Sequence, residues 1–268
     1  MDAAPRAFSR RQTEIIALLR ETGRVAVEEL ATLFEVSPQT IRRDLNDMSE
    51  ARVITRVHGG AIVASSVQNL AYDARKLVAQ SHKRLIGEAA ARLVADHSSL
   101  FINLGTTTEE VAHALVGRAG LLVITNNLNV ATELHRNRGI DVIVTGGSVR
   151  PSDGGIVGAT AVEQIREFRV DTAVIGISAI DADGTLLDFD IREVQVSRAI
   201  IDIARRVILV TDSSKFSRSA PVRIGTLADI DILVTDRLEP AAARLCLDHE
   251  VTVVEAGGPA EGDSGGPE

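Results

Sequence analysis

The chain has 268 residues, enough for two domains, and 45% of them are hydrophobic, enough for a substantial core. Its one cysteine excludes an internal disulfide, and no apolar run approaches the ~20 residues that span a membrane, so we expect a cytoplasmic protein without a membrane partner. The net charge of −8 does not exclude nucleic-acid binding, because residues 1–60 contain nine basic and nine acidic side chains and the excess acid lies beyond them.

Apolar residues recur at helical spacing in three segments of the N-terminal part, 9–22, 27–34 and 38–50. The joints between these segments are short, and the third segment is polar on one side. Three short helices joined in this way are typical of a helix-turn-helix, a DNA-binding motif. The apolar stretches 53–56 and 61–63 could pair across the turn between them, as the two strands of a wing.

The third segment has the features of a helix that reads DNA. Ser37 can cap its N-terminus, and Pro38 suits the first turn, where no backbone N–H is needed. Ile41, Leu45 and Met48 follow one another at helical spacing and form a stripe that we expect to be buried. The opposite side of this helix is therefore free to face DNA.

The candidate DNA-binding residues are polar or basic and suit base edges and phosphates: Ser37, Gln39, Thr40, Arg42, Arg43, Arg56 and His58. Arg43 has an alternative role as the partner of Asp47, four residues on. Arg42 has no acidic residue at that spacing, which makes it the stronger candidate. His58 could contact the DNA backbone or only form the turn.

From residue 81 onwards, helical patterns alternate with continuous apolar runs. The expected strands are 99–103, 121–125, 141–145, 172–176, 207–211 and 232–235. The expected helices are 83–95, 108–117, 128–137, 190–205 and 240–247. Apolar runs of this kind are typical of parallel strands that are covered on both faces, so the pattern predicts an α/β domain with a mainly parallel sheet.

The segment L-G-T-T-T-E at 104–109 follows a predicted strand and begins a helix. Glycine permits close approach of a ligand, and the free N–H groups at a helix start attract an anion. Gly105, Thr106 and Thr107 are therefore candidates for holding a phosphate, although the threonines could instead only cap the helix. The segment lacks a Walker lysine, which argues against a nucleoside triphosphate.

Several other polar residues follow predicted strands, where ligands bind in open α/β sheets. They are Asn126, Asn127, Lys215 and, within the segment T-G-G, Gly147, whereas the candidates Asp190 and Glu193 begin a predicted helix. Lys215 is the only lysine after Lys83, and it suits either a phosphate or sugar hydroxyl or an ordinary surface position. The six histidines are scattered without a metal-binding spacing, so we expect no metal and no cofactor.

Taken together, these motifs resemble the DeoR family of bacterial regulators. S-P-Q-T-I-R-R-D-L (37–45) and R-V-H-G-G-A (56–61) resemble its DNA-binding domain. The resemblance continues through L-G-T-T, T-N-N-L-N-V-A, G-G-x-x-R, G-T-L-L-D-F-D-x-x-E-V and D-x-S-K-F, and it covers roughly residues 10–255.

The resemblance implies a winged helix-turn-helix joined to a sensor domain related to phosphosugar isomerases. The expected limits are 1–63 for the DNA-binding domain, 64–80 for a linker, 81–255 for the sensor and 256–268 for a disordered tail. In such a sensor, Gly105, Thr106 and Thr107 would hold phosphate. The resemblance implies that the pocket would be completed by Asn126, Asn127, Gly147, Asp190, Glu193 and Lys215.

Segments 125–131 and 183–190 resemble the branch of the family that responds to glycerol 3-phosphate. The resemblance thus implies a repressor of glycerol-3-phosphate uptake and catabolism genes that binds double-stranded operator DNA as a homodimer or homotetramer. Many relatives have aspartate where this chain has Asn103, so an ion-dependent or catalytic role is in doubt there.

Two alternatives remain open. The effector could be another phosphorylated sugar, such as a ketohexose phosphate. The second domain could also be an isomerase-like enzyme that uses Asp188, Asp190, Glu193 or Lys215 as acid–base groups. Asn103 and the fused DNA-binding domain argue against the enzyme, so we expect no catalytic residues.

Overall fold

The computed structural model describes residues 8–22, 24–51, 53–57, 60–63, 72–77 and 79–256. The chain forms two compact units, Met1–Val78 and Ala79–Glu268. No helix in these described ranges is long and apolar enough to cross a bilayer.

The elements of the first unit are α1 (Arg10–Thr22), β1 (Arg24–Ala26), α2 (Val27–Leu33), α3 (Pro38–Glu50), β2 (Ile54–Val57), β3 (Gly60–Val63) and α4 (Tyr72–Leu77). The predicted wing is confirmed, since β2 and β3 pair antiparallel, with Ile54 opposite Val63. The sequence analysis missed β1, which pairs antiparallel with β3 and completes a small three-stranded sheet.

One aliphatic core holds the first unit together. Ile15 and Leu19 of α1 pack with Leu30 of α2 and with Ile41 and Leu45 of α3. These side chains are almost fully buried. The predicted buried stripe of α3 is therefore confirmed, and its burial fixes which side of α3 faces outwards.

The second unit alternates helices and strands. Its elements are α5 (Gln80–Arg92), β4 (Ser99–Ile102), α6 (Thr106–Ala114), β5 (Leu121–Thr125), α7 (Leu128–Leu134), β6 (Ile140–Val144), β7 (Ser148–Val149), β8 (Ile156–Val157), α8 (Ala159–Arg166), β9 (Thr172–Ile175), β10 (Ala179–Ile180), β11 (Thr185–Asp188), α9 (Ile191–Ile203), β12 (Val207–Val210), β13 (Val222–Thr226), β14 (Ile232–Thr235), α10 (Pro240–Asp248) and β15 (Thr252–Glu255). Two 3₁₀ turns, Ser213–Ser217 and Leu227–Asp229, lie before and after β13.

Within the described residues, seven strands form one parallel sheet in the order β15-β14-β12-β9-β4-β5-β6. The chain runs from β4 outwards to β6 and then returns to β9 on the other side of β4. The topological switch point therefore lies between β4 and β9, which is where open α/β sheets bind ligands, beyond the carboxyl ends of the strands.

Helices cover both faces of this sheet. Leu100 and Ile102 of β4 belong to the core formed with α5, α6 and α7. Phe101, between them, belongs to the core formed with α8, α9 and α10. The prediction of a winged helix-turn-helix followed by an α/β domain with a mainly parallel sheet is confirmed.

The sequence analysis missed β7, β8, β10, β11, β13 and β15, as well as α8. Most of these strands are short, and β7–β8 and β10–β11–β13 form small antiparallel sheets outside the main one. In the predicted linker, residues 72–77 are helical, while residues 64–71 lie outside the described residues, as does the predicted tail from residue 257. The domain limits given above remain predictions.

Candidate DNA interface and effector site

The N-terminus of α3 is capped as the sequence predicts. The Ser37 hydroxyl accepts a hydrogen bond from the Thr40 backbone N–H at 3.1 Å, and its oxygen lies 2.9 Å from the Thr40 hydroxyl. Pro38 occupies the first turn. Both hydroxyls therefore take part in the cap, and they hold the start of the helix in the conformation in which its N-terminal residues face outwards.

The outward side of α3 is polar and accessible, because Gln39, Arg42 and Arg43 are all exposed. Arg42 Nη2 lies 3.4 Å from Glu28 Oε1 of α2, a partner that its spacing along the chain did not reveal. The Arg42 side chain is 46% exposed and that of Glu28 is 71% exposed, so this ion pair is weak and easily exchanged for a phosphate. The side chain of Arg56 and all of His58 lie outside the described residues.

Asp44 is a residue of α3 that the sequence analysis did not single out. It is buried, and its carboxylate accepts hydrogen bonds from Arg11 Nε at 2.6 Å and from Gln12 Nε2 at 3.4 Å. The hydrogen bond to Asp44 raises the pKa of Arg11. The pair joins α1 to α3 and so fixes the angle at which α3 is presented. In the sequence, Asp44 could have been recognised as an acidic residue directly before Leu45 of the apolar stripe.

The loop that begins α6 has the geometry expected of an anion site. Gly105 has φ of 140° and occupies the N-cap, where it supplies no side chain to cap the helix. The backbone N–H groups of the first turn are therefore available to an added acceptor. Thr106 and Thr107 follow in this turn and are largely buried. The Thr108 hydroxyl instead turns back to the carbonyls of Asn103 and Gly105, at 2.8 and 2.7 Å.

Asn103 has a structural role beneath this loop. It is 1% exposed, and its Nδ2 donates to the Ser197 hydroxyl of α9 at 2.9 Å, while its Oδ1 accepts from the Leu104 backbone N–H at 2.7 Å. The amide thus links the end of β4 to α9. An aspartate at this position would have no N–H group to donate to the Ser197 hydroxyl.

Asn126 and Asn127 lie at the carboxyl end of β5, and both are buried. Asn127 Oδ1 caps α7 by accepting from the Asn129 N–H at 2.9 Å, and its Nδ2 donates to Glu109 Oε1 at 3.2 Å. Asn126 Nδ2 donates to the Ile156 carbonyl at 3.2 Å. Among the described residues, Asn126 Oδ1 has no hydrogen-bond partner. A buried acceptor of this kind is normally satisfied, so it is available to a water or a ligand.

Two further hydroxyls at this edge are buried without a partner in the described part of the chain. They are the Oγ1 atoms of Thr145, after β6, and of Thr211, after β12. Gly147 follows Thr145 by two residues and has φ of 138°, and a Cβ there would approach Ile156 and the Val157 carbonyl within 3 Å. Gly147 therefore permits close packing and contributes no side chain to the site.

Asp190 and Glu193 lie at the N-terminus of α9 and meet at Arg150. Asp190 is the N-cap, and it accepts from the Arg192 N–H at 2.9 Å and from Arg150 Nη1 at 3.2 Å. Glu193 Oε2 lies 2.8 Å from Arg150 Nη2. A hydrogen bond from the Arg192 side chain lowers the pKa of Asp190, although partial burial opposes it. Asp190 is therefore ionised at neutral pH.

Arg150 was not among the predicted residues, although it ends the G-G-x-x-R motif. It also donates twice to Asp153, from Nε at 2.8 Å and from Nη2 at 2.6 Å. Burial alone would lower the pKa of Arg150, but its hydrogen bond to Asp153 and the charge of Glu193 raise it above the ordinary value. Arg150 is thus permanently charged.

Lys215 lies in the 3₁₀ turn after β12, close to Asp212. Burial would raise the pKa of Asp212, but the charge of Lys215, a hydrogen bond from Ser214 and the charge of Lys83 lower it below 3.8. Lys83 is buried in the first turn of α5. Strand β12 is two strands from β4, so Lys215 belongs to the same edge as the Gly105 loop, about 10 Å along it.

The described residues include no group of three or more histidine, cysteine or acidic side chains arranged to hold a metal. Asp153, Asp190 and Glu193 all have Arg150 as a partner. In the structure they therefore act as anions paired with an arginine.

Two family models match the chain. A model described as the DeoR-like helix-turn-helix domain matches residues 11–67, and one described as the DeoR C terminal sensor domain matches residues 78–237. The first match contains α3 and the wing, and the second contains all the candidate effector residues.

Several curated relatives are similar over nearly the whole chain. The glycerol-3-phosphate regulon repressor of Haemophilus influenzae is 49% identical over 227 residues, which are 85% of this chain and 89% of that protein. The protein of the same name in Escherichia coli is 44% identical, with 91% and 97% covered. The HTH-type transcriptional repressor CsqR of Escherichia coli is 41% identical, with 91% and 94% covered.

Solved structures align weakly. Ribose 5-phosphate isomerase A from Methanocaldococcus jannaschii has a TM-score of 0.39 and 15% identity, over 51% of this chain and 54% of that chain. A translation initiation factor eIF-2B from Pyrococcus horikoshii has a TM-score of 0.45 and 15% identity, over 87% and 90%. Alignments this weak identify no shared function.

Proposed function

Because this chain belongs to the DeoR family of regulators, we propose that it represses transcription by binding operator DNA through α3 and the wing, and that glycerol 3-phosphate releases it. The target genes would be those for glycerol-3-phosphate uptake and catabolism. The names of the relatives and the resemblance of segments 125–131 and 183–190 support glycerol 3-phosphate as the effector. The geometry of the carboxyl edge of the sheet supports the location of the pocket.

The DNA-binding part of the proposal is supported by the two sides of α3. Ile41, Leu45 and Met48 are fully buried, so Gln39, Arg42 and Arg43 must face away from the core. An outward helix with an amide and two guanidinium groups suits the major groove, where arginine contacts guanine and glutamine contacts adenine. Arg56 and His58 would contact the flanking backbone.

One observation carries the effector part: the N-terminus of α6 lies uncapped at the switch point of the parallel sheet. Gly105, Thr106 and Thr107 would bind the phosphate through backbone N–H groups, with Lys215 supplying positive charge from the end of β12. Asn126, Asn127, Gly147, Asp190 and Glu193 would complete the pocket. Homodimers or homotetramers would present two copies of α3 to a symmetric operator.

Release requires that the effector bind more tightly to the form of the protein that does not bind DNA, because an effector with equal affinity for both forms does not shift the equilibrium between them. A tenfold loss of operator affinity corresponds to about 1.4 kcal/mol of differential binding. An effector contact with a few hydrogen bonds is sufficient for this difference.

The test is a gel-shift titration of DNA upstream of the protein's own gene, at fixed salt, with and without glycerol 3-phosphate. We expect at least about a tenfold weaker operator affinity with the effector present. Gly105→Ala should require much more effector, because a side chain is strained at φ of 140°.

A matched control for that variant is Gly117→Ala. This glycine also has positive φ, with open space around it, and it follows α6 at the opposite edge of the sheet. It should lose stability and keep the response to effector. An unchanged operator affinity in saturating glycerol 3-phosphate would reject this effector, and fructose 6-phosphate in the same titration tests the ketohexose alternative.

We further propose that the second unit catalyses no isomerisation. Asp190 and Glu193 are ion-paired with Arg150, and Asp188 accepts from the Ser178 hydroxyl at 2.9 Å and from the Phe189 N–H at 2.7 Å. Carboxylates whose oxygens are engaged in this way are not free to take a proton from a substrate carbon. Turnover of glucose 6-phosphate, ribose 5-phosphate or another phosphosugar by the purified protein would contradict this.

A further inference from the structure

The ion pair between Arg11 of α1 and Asp44 of α3 uses only one side of the guanidinium. Arg11 Nε donates to Asp44 Oδ2 at 2.6 Å, and Gln12 Nε2 holds the other carboxylate oxygen at 3.4 Å. Among the described residues, Nη1 and Nη2 of Arg11 have no hydrogen-bond partner, and neither atom is buried. The Arg11 side chain is 32% exposed and that of Asp44 is 10% exposed. The remaining N–H groups of Arg11 therefore reach solvent and are available to an external acceptor.

Asp44 lies at the border between the buried and the exposed side of α3. It comes directly before the fully buried Leu45, and it follows Thr40 of the N-terminal cap by one helical turn. Gln39 and Arg43 are exposed on the outward side of the helix. Because Asp44 occupies the border between these two sides, the guanidinium that it holds lies along one flank of α3.

The flank of a helix that reads DNA is the part that meets the phosphodiester backbone. An α-helix with its side chains is about 10–12 Å across, and the major groove of B-DNA is about 12 Å wide. A helix in the groove therefore has one phosphodiester strand beside each flank. With Gln39 and Arg43 facing the base edges, Arg11 would lie next to one of these strands, at the flank formed by α1.

A cavity of about 450 Å³ lies beside Arg11 and provides room for a phosphate. It is lined by Ser9, Arg10, Arg11, Glu14 and Phe34. The one carboxylate in this lining, that of Glu14, accepts a hydrogen bond from Arg10 Nε at 3.0 Å. Phe34 lies in the turn that leads into α3. A phosphate in this cavity would thus contact the guanidinium of Arg11 from outside, close to the start of α3.

We propose that Arg11 binds a backbone phosphate of the DNA duplex beside α3, and that Asp44 is the positioning residue that orients its guanidinium. This rests on the proposed function, because DNA must occupy the outward side of α3. An arginine that is already held in place loses less conformational freedom when it binds a phosphate. Backbone contacts fix the orientation of a protein on the duplex and read no sequence. The DNA-binding surface therefore extends from α3 and the wing to α1.

The experiment is a fluorescence-anisotropy titration of the full-length protein with two labelled duplexes, at salt concentrations between about 50 and 200 mM. One duplex is DNA upstream of the protein's own gene, and the other is a shuffled duplex of the same composition. Arg11→Gln should weaken the binding of both duplexes by about tenfold. It should also lower the slope of log affinity against log salt by about one for each copy of the chain that is bound. A loss on the upstream DNA alone, or an unchanged slope, would overturn the proposal.

Asp44→Asn separates a phosphate contact from a purely structural role of the ion pair. Asparagine can still accept the hydrogen bond from Arg11 Nε, and the charge of Arg11 remains, so the slope should stay as in the wild type. The double variant Arg11→Gln, Asp44→Asn leaves no carboxylate without a partner, and it should show the lowered slope even if Arg11→Gln alone does not fold. If this double variant and Asp44→Asn have the same slope, the pair only holds α1 against α3 and the proposal fails.

Arg118→Gln is the matched control, because it removes the same charge from the second unit. The Arg118 side chain is 30% exposed and is paired with Asp96 at 2.6 Å, much as Arg11 is paired with Asp44. Its slope should equal that of the wild type. An equal fall in slope for Arg118→Gln and Arg11→Gln would show that the effect follows the net charge, and would contradict a contact at Arg11.

The wild-type protein separates this proposal from the proposed function. If it binds both duplexes with equal affinity, operator recognition fails, while a lowered slope in Arg11→Gln still supports the backbone contact. If it prefers the upstream DNA and Arg11→Gln behaves like the wild type, only the contact at Arg11 fails. If it binds neither duplex, both fail.

Discussion

The two candidate sites of this protein are built in opposite ways. The polar residues of α3 face solvent, and among the described residues Arg42 forms an exposed ion pair with Glu28 at 3.4 Å. At the carboxyl edge of the parallel sheet, Asn103, Asn126 and Asn127 are at most 1% exposed, and each bonds to other parts of the unit.

In the first unit, the candidate binding residues are therefore different from the residues that stabilise the fold. In the second unit, the same residues serve both roles. The exposed polar residues of α3 contribute little to stability, so they can be substituted without unfolding the helix. Residues at the sheet edge also satisfy buried backbone and hydroxyl groups, so their loss affects the fold as well as any ligand. Substitutions in the two sites should therefore have different signatures.

The largest effect is expected for Asn103→Ala. Removal of the amide leaves the Ser197 hydroxyl and the Leu104 N–H without their partners in a buried place. Each such loss costs about 1–3 kcal/mol, so the free energy of unfolding of the second unit should fall by about 2–6 kcal/mol. Urea unfolding monitored by hydrogen exchange in α9 measures it. An unchanged stability would contradict the structural role of this edge.

Arg42→Ala should show the opposite signature. Operator affinity should fall by about 1–3 kcal/mol at matched salt, while the free energy of unfolding changes by less than about 0.5 kcal/mol. Leu45→Ala, on the buried side of the same helix, is the contrasting variant and should lose about 2–5 kcal/mol of stability. If Arg42→Ala keeps its operator affinity, α3 does not read DNA through this residue.

The smallest effect concerns Asp171, at the amino edge of the sheet. Hydrogen bonds from the Ser99 N–H and hydroxyl lower the pKa of Asp171 below 3.8. The ionised form is therefore favoured in the folded state, and its stabilisation is present above pH 3.8 and lost as the pH falls through the lowered pKa. Asp171→Asn should cost less than about 1 kcal/mol at pH 7, because the site is exposed. The unfolding free energies of the wild type and of Asp171→Asn should draw closer as the pH is lowered below 3.8, and a difference that stays constant on acidification would contradict this.

Sequence patterns predicted the elements that are long and periodic. Helices α1, α2 and α3, the wing and six of the parallel strands follow from apolar spacing. Short antiparallel strands such as β7 and β8 have two residues each, too few to show a period. They matter because the loop between them positions Arg150.

The candidate site was predictable as far as polar residues at strand ends, but not in its pairings. The ion pair of Arg150 with Asp190 joins residues forty positions apart, and no local spacing reveals it. Asp44 was missed for a related reason, since its partners lie in α1, more than thirty residues earlier. Tertiary contacts of this kind decide which charges are compensated.

The start of α5 has a consequence for communication along the chain. This helix runs against the strands, so its first turn lies at the carboxyl edge, where the charge of Lys83 acts on Asp212. Ala79 precedes it with φ of 51°, a backbone conformation that costs an alanine about 1–2 kcal/mol. The first unit ends at Val78. Between Lys83, at the carboxyl edge of the sheet, and the end of the first unit, the chain therefore contains only one helical turn, with a rise of about 5 Å, and the strained residue Ala79.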